Sequence, residues 1–186
     1  MVTFEDIKNN EDIKIYIETG NNVMGEIKYT EHGYAHAGIA SSIASSILNS
    51  LGYDARTCEL ASIAGYMHDI GNSINRHDHA QSGALMAFSL LNKLGMDQRE
   101  IALIVTAIGH HDEGTGDPVN PISAALIIAD KSDVRRSRVR DKADIALDIH
   151  DRVNFAVTGS KLDVLPRERI IRLTLSIDTK ICAVMD

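Results

Sequence analysis

The residues with the clearest chemical potential are the adjacent pair His68 and Asp69, at the end of an apolar segment and just before a glycine turn. Further side chains that can bind metals fall at the ends or on the predicted inward faces of other helices. They are His36, His79, His110, His111 and Asp130. An unpaired carboxylate on a buried face would protonate rather than stay charged, whereas a bound cation removes that penalty. The sequence therefore predicts a metal site.

The donor types and their number restrict the metal. Imidazoles and carboxylates without thiolates suit divalent manganese, iron, magnesium, nickel or zinc. The predicted ligands are His36, His68, Asp69, His79, one of His110 and His111 (His111 is preferred), and Asp130. This set exceeds what a closed tetrahedral zinc site requires, so two ions fit better, with Asp69 as the bridging carboxylate.

Apolar residues at helical spacing predict the elements that position these ligands. We expect one or two short helices over residues 1–29 with a break at Gly20, and longer helices over about 34–51, 55–68 and 79–94. Two more should begin after Asp97 and near Pro121. The predicted inward residues are Ile39, Ile43, Ile47, Leu48 and Leu51 of the 34–51 helix, and Ala80, Ala84, Leu85, Phe88, Leu91 and Leu94 of the 79–94 helix.

The C-terminal region, about residues 141–186, shows a change of period. A helix is expected over about 141–151, and apolar residues then alternate with polar ones near Val153–Val157 and again near Ile171–Ile177. This alternation predicts a small β-hairpin. A last short helix should hold Ile181, Cys182 and Val184.

Length and composition limit the class of protein. The 186 residues suit one domain over 1–186 with a metal-binding core at about 32–133. The formal net charge of −7 argues against a long nucleic acid as ligand. Two distant cysteines and no long apolar run predict a cytoplasmic protein without a membrane partner, and the N-terminal segment is interpreted as a packing or homo-oligomer contact.

The ordered set His36, His68-Asp69, His79, His110-His111 and Asp130 resembles the HD-domain superfamily. The resemblance covers about residues 32–133 and implies an all-α helical bundle around one or two metal ions. The run that begins at His79 and the pair His110-His111 resemble the additional ligands of two-metal members, such as HD-GYP phosphodiesterases and dinucleoside tetraphosphate hydrolases. Two positions depart from these patterns: Asp117-Pro118 replaces the Gly-Tyr-Pro end of the HD-GYP motif, and Asn72 stands where many phosphohydrolases carry lysine.

Neighbouring histidines compete for these positions. The family pattern expects a small-residue helix after the ligand, which favours His79 over His77. His111 continues the apolar stripe of its helix, so His110 is interpreted as its neighbour, its hydrogen-bond partner or an additional ligand. His32 lies one helical turn before His36, a spacing that can serve one metal, although a partly exposed histidine is the preferred interpretation.

The resemblance implies a phosphohydrolase that cleaves a phosphoester or phosphoanhydride of a small, phosphorylated or nucleotide-like substrate through a metal-bound hydroxide. Asp69 would bridge the ions, and His110 or Glu113 would protonate the leaving oxygen. Arg76, Lys131 and Arg135 would bind substrate phosphates, with Arg135 belonging to a cluster of arginines over residues 135–140.

Two other functions are compatible with the same pattern. HD-fold diiron oxygenases resemble this ligand set, so ligand order alone leaves oxidative cleavage open. A non-catalytic HD signalling module is the third hypothesis, and the complete ligand set disfavours it.

Overall fold

Helices make up most of the part of the chain that the structure, a computed structural model, describes: residues 1–140 and 149–183. The α-helices are α1 (Phe4–Asn9), α2 (Glu11–Glu26), α3 (Tyr34–Ser50), α4 (Ala55–Met67), α5 (His79–Lys93), α6 (Gln98–Gly109), α7 (Pro121–Ser132) and α8 (Ile149–Ala156). Short 3-10 helices, Ile70–Ser73 and Arg136–Arg138, follow α4 and α7. Strands β1 (Val157–Leu165) and β2 (Ile170–Ile177) pair as an antiparallel hairpin. The predicted all-α bundle with a small C-terminal hairpin is confirmed.

Polar side chains fix where several helices begin. Asn10, Asp54, Asp97 and Asn120 accept hydrogen bonds from amides in the first turns of α2, α4, α6 and α7, satisfying donors that have no partner within a helix. Beyond the end of α5, Gly95 has a φ of 76°, which is strained for most other residues. The helix start after Asp97 is thus where the sequence predicts it.

Small residues let α3 and α4 approach closely. A Cβ on Gly65 of α4 would lie 2.7 Å from the Cα of Ser41 in α3, so only glycine fits there. The buried residues of α3 are His36, Ala37, Ala40, Ser41, Ala44, Ile47 and Leu48. The predicted stripe of large residues is therefore only partly correct: Ile39 and Ile43 are half-buried and Leu51 is exposed, because the close approach selects a face of small side chains.

The inward face of α5 also differs from the prediction. Leu85 and Phe88, predicted to be buried, are 73% and 46% exposed. The buried residues are His79, Ala80, Gly83, Ala87 and Leu91. Gly71 explains why this face of α5 is the buried one. A Cβ on Gly71 would overlap the carbonyl oxygen of His79 and lie 2.6 Å from the amide of Gly83. The 3-10 helix after α4 thus packs directly on the backbone of α5, which holds His68 and Asp69 close to His79.

At the N-terminus, the predicted break at Gly20 is wrong. Helix α2 runs through Gly20 without interruption, and the break lies at Asn10, which caps α2. Gly20 instead lets α2 pack closely against the 3-10 helix Ile70–Ser73, because a Cβ on Gly20 would lie 3.3 Å from the amide of Ser73.

At the C-terminus, the hairpin is present but its first strand is displaced from the prediction. Residues Val153–Ala156 belong to α8, and β1 begins at Val157, so the predicted start of the strand is wrong. Residues 141–148, where a helix was predicted, and Val184 lie outside the described residues. Ile181 lies in a turn, Cys182 in a bend and Ala183 in neither, so these residues do not form the predicted helix. Alternation over a few residues cannot distinguish the end of a helix from the start of a strand.

Within the described residues, no helix is both long and apolar enough to cross a membrane.

Candidate metal centre

The ends of five helices bring the predicted ligands together. His36 lies in the first turn of α3, and His68 is the C-cap of α4 with Asp69 next to it. His79 opens α5, His111 follows the C-cap of α6, and Asp130 lies in the last turn of α7. The four histidines of this predicted set, His36, His68, His79 and His111, are buried. Side chains from separate helices thus meet where those helices end.

One half of the cluster contains His36 and His68. Their Nε2 atoms are 3.2 Å apart. Oδ1 of Asp130 lies 3.2 Å from Nε2 of His36 and 3.6 Å from Nε2 of His68. Oδ2 of Asp69 lies 3.6 Å and 3.3 Å from the same nitrogens.

The other half contains His79 and His111, whose Nε2 atoms are 3.1 Å apart. Oδ1 of Asp69 lies 3.5 Å from Nε2 of His79 and 3.8 Å from Nε2 of His111. The Asp69 carboxylate therefore turns one oxygen toward each histidine pair. Its Oδ1 also accepts a hydrogen bond from Nδ2 of Asn72 at 2.8 Å, whereas its Oδ2 is buried without a hydrogen-bond partner.

Hydrogen bonds at Nδ1 fix the orientation of all four rings. His68, His79 and His111 donate from Nδ1 to the carbonyl oxygens of Gly65, Arg76 and Ile108, at 2.8, 3.1 and 2.6 Å. His36 donates from Nδ1 to Oδ2 of Asp133 at 2.8 Å. Because Nδ1 is bound in each ring, Nε2 is the nitrogen that faces the centre of the cluster and is placed to bind a cation.

The pKa values of the clustered histidines and aspartates show how burial and the two carboxylates act on one another. Although burial alone would lower it, the carboxylates of Asp69 and Asp130 raise the pKa of His68 to about 10. Burial lowers the pKa of His111 to about 4 and also lowers that of His79, so this pair is neutral and its Nε2 lone pairs face each other. Although burial alone would raise them, the neighbouring imidazoles hold the pKa values of Asp69 and Asp130 well below the usual range.

The donor set fits a divalent metal. Two overlapping groups of the described residues place their donor atoms within 4.8 Å of one another: His36, His68 and Asp130, and His68, Asp69 and His111. Facing lone pairs and the buried, unpartnered Oδ2 of Asp69 are unfavourable unless a cation lies among them. Buried clusters of this composition could therefore hold a metal ion.

A second layer of charged residues holds His36. Oδ1 of Asp133 accepts a hydrogen bond from Nε of Arg135 at 2.9 Å, and Nη2 of Arg135 reaches Oε2 of Glu31 at 2.7 Å. Such outer partners orient a ligand histidine and increase its basicity. This role of Asp133 was not predicted from the sequence, although Asp133 lies three residues after Asp130, close to one helical turn.

A cavity of about 330 Å³ opens beside the cluster. Predicted site residues that line it include Asp69, Arg76, His79, His111, Glu113, Asp130 and Lys131. Nη1 of Arg76 lies 3.3 Å from Nε2 of His79, and Nζ of Lys131 lies 2.9 Å from Oδ2 of Asp130 and 3.4 Å from Oε2 of Glu113. Arg76 thus provides a cation near Asn72, the position where related patterns carry lysine.

Other predicted residues lie apart from this cavity. Arg135 does not line it, and its guanidinium binds Asp133, Glu31 and Ser137. His110 does not line it either, and its Nδ1 is buried without a hydrogen-bond partner. His77 is exposed and pairs with Asp78, as expected of a loop residue.

His32 is partly exposed, as the preferred interpretation of its sequence position predicts, and it also lies next to the cluster. Its ring packs edge-on against His36 with centroids 5.4 Å apart, and it lines the cavity. Burial lowers its pKa to about 4. Its Nδ1 donates to the carbonyl oxygen of Thr30 at 2.8 Å, so the neutral ring of His32 carries its lone pair on Nε2.

Comparisons with known proteins bear on the family and the fold. A family model described as HD domain matches residues 29–153. The search of curated proteins gives no match. Among solved structures, the chain is similar to a predicted HD superfamily hydrolase from an uncultured Thermotogales bacterium, with 25% identity, a TM-score of 0.51 and 67% of each chain covered.

Proposed function

Because the chain belongs to the HD-domain family, whose members include metal-dependent hydrolases, we propose that it is a phosphohydrolase with two metal ions. Its substrate would be a phosphoester or phosphoanhydride of a nucleotide-like small molecule. The observation that carries this proposal is the Asp69 carboxylate, whose two oxygens face two separate histidine pairs.

We divide the predicted ligands between two ion sites that share Asp69. His36, His68, Asp130 and Oδ2 of Asp69 would hold one ion, and His79, His111 and Oδ1 of Asp69 would hold the other. Bound ions would supply positive charge to phosphate oxygens and lower the pKa of a water molecule.

The chain's own residues would bind and orient the substrate. Arg76 and Lys131 line the cavity next to the ligand set, and their positive charges suit phosphate oxygens. Glu113 lines the same cavity, with Oε2 3.4 Å from Nζ of Lys131, and its carboxyl group is our candidate for protonating the leaving oxygen. We assign this proton transfer to Glu113 rather than His110, because His110 does not line the cavity.

Metal analysis of protein purified without chelators tests the ion assignment. We expect about two ions per chain for the unmodified protein and the loss of one ion in His79→Ala. His77→Ala is the matched control, because His77 is an exposed histidine two residues away and outside the ligand set. Equal metal content in all three proteins would refute the site.

A screen of phosphoesters and nucleotides then tests the reaction. With the identified metal, or with manganese, nickel or cobalt, we expect phosphate release under anaerobic conditions. Turnover that requires oxygen and iron would contradict the proposal and favour a diiron oxygenase.

A further inference from the structure

Lys28 occupies an unusual backbone position at the wall of the cavity. It follows α2 and has a φ of 64°. Its amide donates to the carbonyl of Gly25 at 3.0 Å and the next amide, that of Tyr29, to the carbonyl of Met24 at 2.8 Å, which is the helix ending that normally places glycine at this residue. A side chain in this conformation costs stability, and residues that keep such a conformation cluster at functional sites.

The ammonium of Lys28 differs from the other cations around the cavity. Lys131 is paired with Asp130 and Glu113, and Arg138 donates to the backbone carbonyls of Glu31 and Asp133. Among the residues that the structure describes, Lys28 has no hydrogen-bond or ion-pair partner, although it lines the cavity. Its charge is therefore free to bind an anion.

The loop that carries Lys28 is held in place. Arg140 donates from Nε to the carbonyl of Tyr29 at 2.9 Å, and Arg138 donates from Nε to the carbonyl of Glu31 at 3.0 Å. The amide of Glu31 in turn donates to the carbonyl of Arg138 at 2.8 Å. Two members of the arginine cluster thus fix the wall of the cavity, so the backbone at Lys28 is positioned before a ligand arrives.

Arg76 connects this wall to the ligand cluster. Its Nη1 lies 3.3 Å from Nε2 of His79, and its guanidinium carbon lies 5.5 Å from the centre of the Tyr29 ring. Cationic groups therefore continue from the ligand cluster through Arg76 to the loop of Lys28. A single phosphoryl group beside the ligands needs only the nearer of these cations.

We propose that Lys28 forms a second anion subsite, so that the substrate carries two phosphoryl groups: one at the metal ligands and the next at Lys28. This inference rests on the proposed function and narrows its substrates to phosphoanhydrides and bisphosphates.

Binding of two stable phosphonates to the metal-loaded protein tests the subsite. Methylenebisphosphonate carries two phosphoryl groups, methylphosphonate carries one, and excess metal in the buffer corrects for chelation. We expect the unmodified protein to prefer the bisphosphonate, and Lys28→Gly to weaken bisphosphonate binding about tenfold, the loss of one charge-assisted contact. Methylphosphonate affinity should change less than about twofold by the same reasoning.

Lys28→Gly suits this test because glycine favours the backbone conformation at this position, so its melting temperature should not fall below that of the unmodified protein. Arg169→Gly is the matched control: it also replaces a cation at positive φ, 56°, but in the hairpin turn. Lys28→Arg should restore most of the bisphosphonate affinity, and Lys28→Asn removes the charge with a residue that tolerates the same backbone.

The results separate this inference from the proposed function. No metal-dependent binding of either phosphonate to the unmodified protein would overturn the phosphohydrolase proposal. Binding of both phosphonates with no preference for the bisphosphonate, or with no loss in Lys28→Gly and Lys28→Asn, would overturn the subsite alone.

Discussion

At the residue scale, the orientation of the four histidine rings is fixed by hydrogen bonds at Nδ1, the nitrogen that faces away from the cluster. Each Nδ1 is bound to a carbonyl or a carboxylate, so the Nε2 atoms are the ones that converge on the centre of the cluster. Three of these anchors are backbone carbonyls three residues earlier in the chain. The fourth is the carboxylate of Asp133, the one anchor among these that a substitution can remove.

Asp133→Asn tests the importance of that anchor. Loss of the charge weakens both the hold on His36 and the pair with Arg135, so we expect a roughly 10- to 100-fold lower metal affinity. A competition titration with a chromophoric chelator measures this affinity, and thermal unfolding of the metal-free variant checks the fold. Asp78→Asn is the control, because Asp78 holds the exposed His77 at 2.7 Å in the same way. Equal affinities in both variants would contradict the role of Asp133.

At the element scale, the residues that could be predicted from sequence are those that local chemistry specifies. Asp97 begins a helix because a carboxylate caps it, and His111 is buried because it extends the stripe of Ile104 and Ile108. The inward face of α5 could not be predicted, because Gly71 and Gly83 decide it through the approach of two backbones distant in sequence. Asp133 could not be distinguished from a surface residue either, because its partner His36 is also distant in sequence.

The close approach at Gly71 predicts a large effect of a small substitution. In Gly71→Ala the added methyl group would overlap the carbonyl of His79, so the 3-10 helix or α5 must move, and we expect about 1–3 kcal/mol of destabilisation or more. Metal affinity should fall as well, because His79 moves with its carbonyl. Chemical denaturation and chelator competition measure the two effects.

Gly38→Ala provides the comparison within the same fold. Gly38 lies inside α3, and a Cβ there meets nothing within 4 Å. Since alanine favours a helix by roughly 0.5–1 kcal/mol over glycine, this variant should be as stable as the unmodified protein or more stable. A similar loss of stability in both variants would show that the contact at His79 does not matter.

At the scale of the whole molecule, the site joins segments from α3 to α7. The predicted ligands come from five helix ends and meet only when these helices are packed, so a bound ion would stabilise the folded chain over the unfolded one. The sequence could identify the residues that the fold brings together at the cluster, and their order along the chain. It could not show which oxygen of Asp69 faces which histidine pair, because that depends on the packing of the 3-10 helix against α5.

Metal removal should therefore lower the stability of the whole fold. With free metal at about one hundred times the dissociation constant, one site contributes about 2.7 kcal/mol. We expect a chelator to lower the melting temperature in scanning calorimetry and readdition of the metal to restore it. His68→Ala should show a smaller response to chelator, and an unchanged melting temperature of the unmodified protein after complete metal removal would contradict the prediction.

The anchored Nδ1 atoms have a consequence for the kinetics of metal exchange. Because the rings are already locked in the folded protein, little conformational entropy is lost when an ion enters, and the ligands cannot rotate away one at a time to release it. Departure of the ion then requires the local opening of a helix end. We expect slow dissociation, so that the ion acquired during folding persists through purification.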